Sequence, residues 1–267
     1  MRKLLKDLQL IVIKVGTNTL THPNGKMNLK SMENLVREIA SLCNEGKKVI
    51  LVTSGAVGVG IGKLNLTKKP KGLAARQVLA SVGQCELMHI YSKLFSEYGI
   101  TVGQILLTRD VTDNPIKAEN TYNTFKGLLD MGIVPIVNEN DAISTDQLAT
   151  MDTFGDNDTL SAMVAKLVHA ELLIIMSNID GLYNKDPNEA LDAKIIDTVT
   201  DINEKIQSYA SDGISELGTG GMRTKLSAAK TCLENDITMA IINGNNMGNI
   251  SSLLDGELVG TLFTKTN

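Results

Sequence analysis

Tryptophan is absent from the 267-residue chain, and four phenylalanines and five tyrosines leave aromatics at 3%. A protein that grips single-stranded nucleic acid on stacked rings needs more aromatic surface than this. Charge argues the same way: 26 lysines and arginines against 30 aspartates and glutamates give a net −4. That balance is small and of the wrong sign for binding a phosphate backbone. Cys43, Cys85 and Cys232 are far apart, as are His22, His89 and His169, and their spacings match neither a disulfide framework nor a metal motif. All three cysteines fall in apolar helical patterns, which predicts buried, reduced thiols. No run of about 18 uninterrupted apolar residues occurs, so no transmembrane span is expected. The opening Met1-Arg2-Lys3-Leu4-Leu5-Lys6-Asp7 carries positive charge without the apolar stretch and small-residue cleavage site of a signal peptide. The expectation is a cytoplasmic protein that binds neither nucleic acid nor membrane.

What is present is core-forming material. Hydrophobic residues make up 43% and charged residues 21%, enough for a sizeable core in one α/β domain. Strand-like and helix-like segments alternate along the chain. β-Branched or apolar runs at Leu10–Val15, Lys48–Thr53, Thr101–Thr108, Ile133–Val137, Leu172–Met176 and Ile237–Ile242 read as strands of a largely parallel sheet. Helical spacing covers Ser31–Glu45, Leu73–Tyr98, Lys117–Met131, Thr159–His169 and the segment through Leu226, Ala229 and Leu233. Within the second of these, Gly83 predicts a break or a close packing contact. Residues 194–199 and Gly260–Lys265 are expected at the sheet edge, Ile202–Tyr209 as a short helix, and 142–153 as a loop or hairpin over the site.

The strand ends carry the chemistry. The run through Val137 stops in Asn138-Glu139-Asn140-Asp141, and Phe154-Gly155-Asp156-Asn157-Asp158 follows after a polar excursion. In open α/β sheets ligands sit beyond the carboxyl ends of strands, so two acidic-amide clusters flanking one short loop predict a site. The plainer reading makes Asp158 or Asn157 an N-cap for the following helix. Lys14 stands next to last in an apolar strand, followed by Gly16. Either the strand is an edge with Lys14 in water, or the ammonium faces an anion that the glycine lets approach. After Lys48–Thr53 comes Ser54-Gly55-Ala56-Val57-Gly58-Val59-Gly60-Ile61-Gly62, which fails the dinucleotide fingerprint because Lys63 stands where a third glycine is needed. No Gly-Lys-Ser/Thr of a Walker loop occurs. Gly218-Thr219-Gly220-Gly221-Met222-Arg223-Thr224-Lys225 feeds a helix and reads as an anion cradle rather than a flexible linker. Two lysines beside glycines, with carboxylates between them, point to phosphoryl transfer without a Walker loop.

These segments together resemble the amino acid kinase family. Lys14-Val-Gly-Thr, Val52-Thr-Ser-Gly-Ala-Val, Asn138-Glu-Asn-Asp141, Phe154-Gly-Asp-Asn-Asp158, Asp180-Gly-Leu-Tyr183 and Gly218–Lys225 occur in the family's order across nearly the whole chain. The resemblance implies one kinase domain over 1–267, an αβα sandwich on a mostly parallel sheet. The acceptor would sit over the N-terminal half, and ATP over the C-terminal half from about residue 170. It implies phosphorylation of the γ-carboxylate of L-glutamate, the first step of proline synthesis, with Mg²⁺ accompanying ATP and no firm protein ligands for the metal. By similarity, Lys14 and Lys225 stabilise the transferring group and Asp158 holds both. Ser54, Gly55, Ala56, Asp141, Asp156 and Asn157 would bind glutamate. Lys14, Ser177, Asn178, Thr219, Gly220, Gly221, Met222, Arg223, Thr224 and Lys225 would meet ATP, with Ser177-Asn178 standing where Thr-Asp is common. The family also implies a homo-oligomer and proline as a feedback inhibitor, and the length resembles the short form without a C-terminal PUA domain. The alternatives are another acceptor, such as N-acetylglutamate, or a non-catalytic amino-acid sensor of the same fold.

Overall fold

The computed structural model describes residues 2–22, 24–66, 70–108, 110–143, 157–187, 190, 192–210 and 221–265. A 3₁₀ turn at Arg2–Asp7 leads into β1 (Leu10–Val15), α1 (Thr17–Leu20), α2 (Leu29–Asn44), β2 (Lys48–Val52) and α3 (Ala56–Lys63). Then come α4 (Leu73–Ser96), β3 (Val102–Leu107), α5 (Asp110–Asp113), α6 (Pro115–Asp130) and β4 (Val134–Glu139). The second half holds α7 (Asn157–Leu167), β5 (Leu172–Ser177), β6 (Thr198–Val199), α8 (Glu204–Ser208), α9 (Met222–Glu234), β7 (Thr238–Asn243), α10 (Asn249–Leu254) and β8 (Thr261–Phe263).

Local chemistry sets the helix ends. The Asn28 side chain accepts from Ser31 N and starts α2, which stops before Gly46 at φ +87°. Asn114 accepts from the amides of Ile116 and Lys117, with Pro115 in the first turn where its missing N–H costs nothing.

The strands form one eight-stranded sheet in the order β3-β4-β2-β1-β5-β7-β8-β6. Neighbours are parallel except β7 and β8, which run antiparallel. β1 lies between β2 and β5, so the edge-strand reading of Lys14 is excluded. One expectation is corrected here: the strand within 260–265 does not close the sheet. β8 has two hydrogen-bonding sides; β7 takes one, and the two-residue β6 takes the other and becomes the edge.

Alternation along β1 splits the core. Ile11, Ile13 and Val15 pack with residues of α2, α4 and α10 on one face. Val12 packs on the other with residues of α6, α7 and α9. The result is the expected three-layer αβα arrangement. Helices α3 and α4 meet backbone to backbone: a Cβ on Gly60 would fall 2.1 Å from Leu79 O, and one on Gly83 would fall 1.7 Å from Ala56 O. Gly83 therefore marks close packing, with α4 running unbroken through it.

The cysteine expectation holds in part. All three are free; Cys232 is buried and Cys43 half-buried, and burial pushes their thiols up to about 12 and about 11. Cys85 is exposed. It follows Gly83 by two positions, roughly 200° around the helix, and so turns away from the α3 contact. The loop expected at 142–153 falls, from 144 onward, outside the described residues.

Candidate active site

Five parallel strands, β4-β2-β1-β5-β7, are consecutive neighbours, so their carboxyl ends share one edge of the sheet. Asn138 and Glu139 end β4, Thr53 and Ser54 follow β2, Lys14 nears the end of β1, and Ser177 and Asn243 end β5 and β7. Lys14 is in register with Val52 on one side and Ile175 on the other. It stands at the middle of the row and, by alternation, on the same face as Val12, the side of α7 and α9.

There it meets Asp158. Lys14 Nζ is 2.6 Å from Asp158 Oδ1, and Lys225 Nζ is 2.9 Å from Oδ2. Relative exposures of 6% for each lysine and 0% for the aspartate make this a buried trio. Asp158 is the second residue of α7, and Lys225 lies in the first turn of α9, which packs on α7. The capping reading of Asp158 therefore gives way: its two oxygens face two ammonium groups, while the α7 N-terminus adds a favourable dipole. Burial pushes the Asp158 carboxyl up, but the charges of Lys14 and Lys225 outweigh it and hold it well below the usual carboxylate range. The trio carries one net positive charge in a dry place. Thr224 Oγ1 adds a contact at 3.2 Å to Asp158 Oδ2 and donates to Gly221 O at 2.8 Å.

Toward β2 and β4 the lining changes from charges to amides. Asn157 Nδ2 has three acceptors within reach of its two hydrogens: Thr53 O, Ser54 Oγ at 2.9 Å and Asn138 Oδ1 at 2.9 Å. Asn138 Nδ2 in turn donates to Gln84 Oε1 at 2.9 Å. Gly55, at φ +96°, makes the left-handed turn that ends β2 and starts α3 at Ala56. Asp141 lies beyond β4; burial, with the neighbouring charge of Glu139, pushes its carboxyl up to about 6 against the opposing charge of Arg76.

Toward β5 and β7, Ser177 is buried and Asn178 exposed, with Ser177 Oγ 3.4 Å from Asn178 Oδ1. Asn243 Nδ2 donates to Asp180 Oδ1 at 2.7 Å, and Tyr183 OH donates to Asp180 Oδ2 at 3.0 Å. Gly221, in extended backbone, precedes α9 with no side-chain cap, and a helix N-terminus of this kind suits an anionic ligand.

Of the residues expected at the site, Lys14, Asp158 and Lys225 come together, as do Asn157 and Ser54, with Gly55 and Ala56 at the start of α3. Asp156, Thr219 and Gly220 lie outside the described residues. Sequence reasoning missed Gln84 and Thr53 as parts of the amide cluster, and Asn138 was seen only as a polar strand end. No group of three or more His, Cys, Asp or Glu side chains fit for a metal occurs among the described residues.

Residues 9–243 match the model of the amino acid kinase family. The chain belongs to the amino acid kinase family. Within that family it is 53% identical over 263 residues to a glutamate 5-kinase of Clostridium perfringens, covering 98% of each chain. It is 52% identical to a glutamate 5-kinase of Listeria monocytogenes, over 98% of this chain and 95% of that one. A third relative of that name, from Clostridium acetobutylicum, is 51% identical over 265 residues. Among solved structures, UMP kinase from Bacillus anthracis superposes with TM-score 0.66 at 15% identity, covering 97% of both chains, which establishes the shared fold.

Proposed function

We propose that this amino acid kinase transfers the γ-phosphoryl group of ATP to the γ-carboxylate of L-glutamate, giving γ-glutamyl phosphate and ADP. The observation that carries the mechanism is the Lys14–Asp158–Lys225 trio at the centre of the strand-end row. Identity above one half to glutamate 5-kinases over 98% of the chain supports the choice of acceptor.

The chemistry needs little beyond alignment. A γ-carboxylate is already ionised at neutral pH, so its oxygen attacks the γ-phosphorus without a general base. The bond to the β–γ bridging oxygen breaks, and ADP departs with the electron pair. Negative charge spreads over the equatorial oxygens meanwhile, and two ammonium groups held by one buried carboxylate stabilise it there. The division of labour follows the strand order. Ser54, Gly55, Ala56, Asp141 and Asn157, with Asp156, would hold glutamate on the β2–β4 side. Ser177, Asn178 and the segment Thr219–Lys225 would hold ATP on the β5–β7 side. Mg²⁺ enters as part of the nucleotide substrate; Asp158 faces two lysines, and no step is assigned to a protein-held metal.

Proline shares glutamate's α-carboxylate and cationic amine, so it is proposed to compete for the same pocket as a feedback ligand. The family resemblance of the sequence supports a homo-oligomer. No helix among the described residues is long and apolar enough to cross a membrane.

Trapping of the acyl phosphate as a hydroxamate, with ATP and hydroxylamine across a small acceptor panel, tests the reading. L-Glutamate should exceed N-acetylglutamate and aspartate by a wide margin. Equal rates, or no hydroxamate with any acceptor, would remove the assignment.

A further inference from the structure

The amide cluster beside the trio has a direction, and the backbone sets it at both ends. The amide of Glu139 can only donate, and it donates to Asn138 Oδ1 at 2.9 Å. Asn138 must then turn its Nδ2 toward Gln84, whose partner atom must be the acceptor Oε1. At the other end the carbonyl of Thr53 can only accept, so Asn157 must turn Nδ2 toward it. The same Nδ2 reaches Ser54 Oγ and Asn138 Oδ1. Carboxamide oxygens and nitrogens are interchangeable in shape, but here two backbone groups of fixed character remove the ambiguity. The Oδ1 of Asn157 is left over, accepting no hydrogen bond among the described residues.

Gln84 anchors this chain of amides from outside the strand-end row. It sits on α4 one residue after Gly83, whose absent side chain lets α4 press against the Ala56 carbonyl in the first turn of α3. At 8% exposure, Gln84 is fixed by packing on one side and by Asn138 on the other.

We propose that Gln84 is a positioning residue for the acceptor pocket, acting through Asn138 and Asn157 so that Asn157 presents its carbonyl oxygen to the α-ammonium of the acceptor amino acid. An amide oxygen and the Asp141 carboxylate together make a receptor for a free ammonium group and a poor one for an N-acylated nitrogen, which is bulkier and uncharged. The inference rests on the proposed glutamate reaction and adds the device by which a free amino group is selected.

The experiment compares L-glutamate with glutarate, which keeps both carboxylates and lacks the ammonium. Wild type should prefer glutamate strongly in kcat/KM. Gln84→Met keeps the volume and removes the acceptor that holds Asn138. Its glutamate preference should fall roughly tenfold or more, the scale of a hydrogen bond to a charged group, through a higher glutamate KM with the KM for ATP unchanged. Gln84→Glu restores the acceptor for Asn138, and its buried carboxyl, once protonated, is an isostere of the amide. Its kcat/KM relative to wild type should therefore rise as pH falls, whereas the Gln84→Met ratio should stay flat. An unchanged glutamate-to-glutarate ratio in Gln84→Met, or equal rises in both substrates' KM, would overturn the proposal. Wild type without turnover of glutamate would instead remove the functional reading on which it rests.

Discussion

Lys14 and Lys225 meet through one carboxylate, each on its own oxygen of Asp158 at 2.6 Å and 2.9 Å. Lys14 comes from the middle of the sheet and Lys225 from a helix laid over it. A single buried anion thus sets the spacing of two cations from opposite parts of the chain. That spacing is the feature that suits a phosphoryl group with charge on three oxygens.

Lys14→Ala and Lys225→Ala should each lose turnover by roughly 10²–10³, or about 3–4 kcal/mol, the loss expected when one preorganised donor to a transition-state charge is removed. Lys225→Ala should also raise the KM for ATP, because it lies in the first turn of α9 beside the proposed nucleotide segment. Lys14→Ala should leave the KM for glutamate nearly unchanged. Lys230→Ala is the control: that lysine is exposed and faces Glu234 one turn away, so turnover should stay within about twofold. Steady-state kinetics with a thermal melt on each variant decide it. Near-normal turnover with a native melt would take that lysine out of the mechanism.

Asp158→Ala should fail in a different way. It takes from two buried ammonium groups the carboxylate that both face, a loss of about 3–5 kcal/mol for a buried pair broken from one side. Melting should fall by on the order of 10 °C. Bound ATP should recover part of the loss, since phosphate oxygens supply the missing negative charge. Calorimetry with and without nucleotide checks this, and a melt equal to wild type would mean that the trio contributes nothing to the fold.

Much of this arrangement was legible in the sequence because it follows strand logic. A lysine inside an apolar run, followed by glycine, had either to be an edge residue or to face an anion, and the central place of β1 decides between them. The strands were legible for the same reason: buried parallel strands are near-continuous apolar runs, and β1, β2 and β5 are that. The order of β8 and β6 was not, since three- and two-residue strands carry no period to read. Gln84 was hidden more thoroughly. A polar residue in a long helix is expected in water, and only the backbone contact at Gly83, a tertiary fact, turns this one inward. Cys85 errs in the opposite sense: an apolar neighbourhood in sequence lies on the outer side of α4.

The contact between α3 and α4 can be tested with methyl groups. Gly83→Ala would put a Cβ 1.7 Å from the Ala56 carbonyl oxygen, backbone against backbone, where no rotamer relieves the clash. Overpacking of this kind costs about 1–3 kcal/mol, and the shift of α3 should raise the KM for glutamate through Gly55 and Ala56. Gly127→Ala is the counterpart, at an exposed position of α6 with nothing within 4 Å of the new methyl. It should stabilise by about 0.5–1 kcal/mol through helix propensity alone. If both variants melted alike, close packing would not be the reason for glycine at 83.

Asp141 predicts a pH dependence with a definite sign. Burial and the charge of Glu139 raise its carboxyl from the ordinary 3.8 to about 6, with Arg76 opposing. Between those values the folded protein holds a proton that the unfolded chain has released. This group's contribution to stability therefore falls as pH rises through that window and levels off above about 6. Binding runs the other way, because the ammonium of glutamate needs the carboxylate ionised. The kcat/KM for glutamate should climb with pH to a plateau, with an apparent pKa near 6 belonging to the free enzyme. The kcat alone should not show this step, since bound glutamate neutralises the site and returns Asp141 to its ionised form. Asp141→Asn should remove the step and weaken glutamate and proline together, as both offer a cationic amine to the same group. Proline inhibition that survived intact in Asp141→Asn while glutamate binding collapsed would require a second site for proline. A pH step that persisted in the variant would assign it to another group.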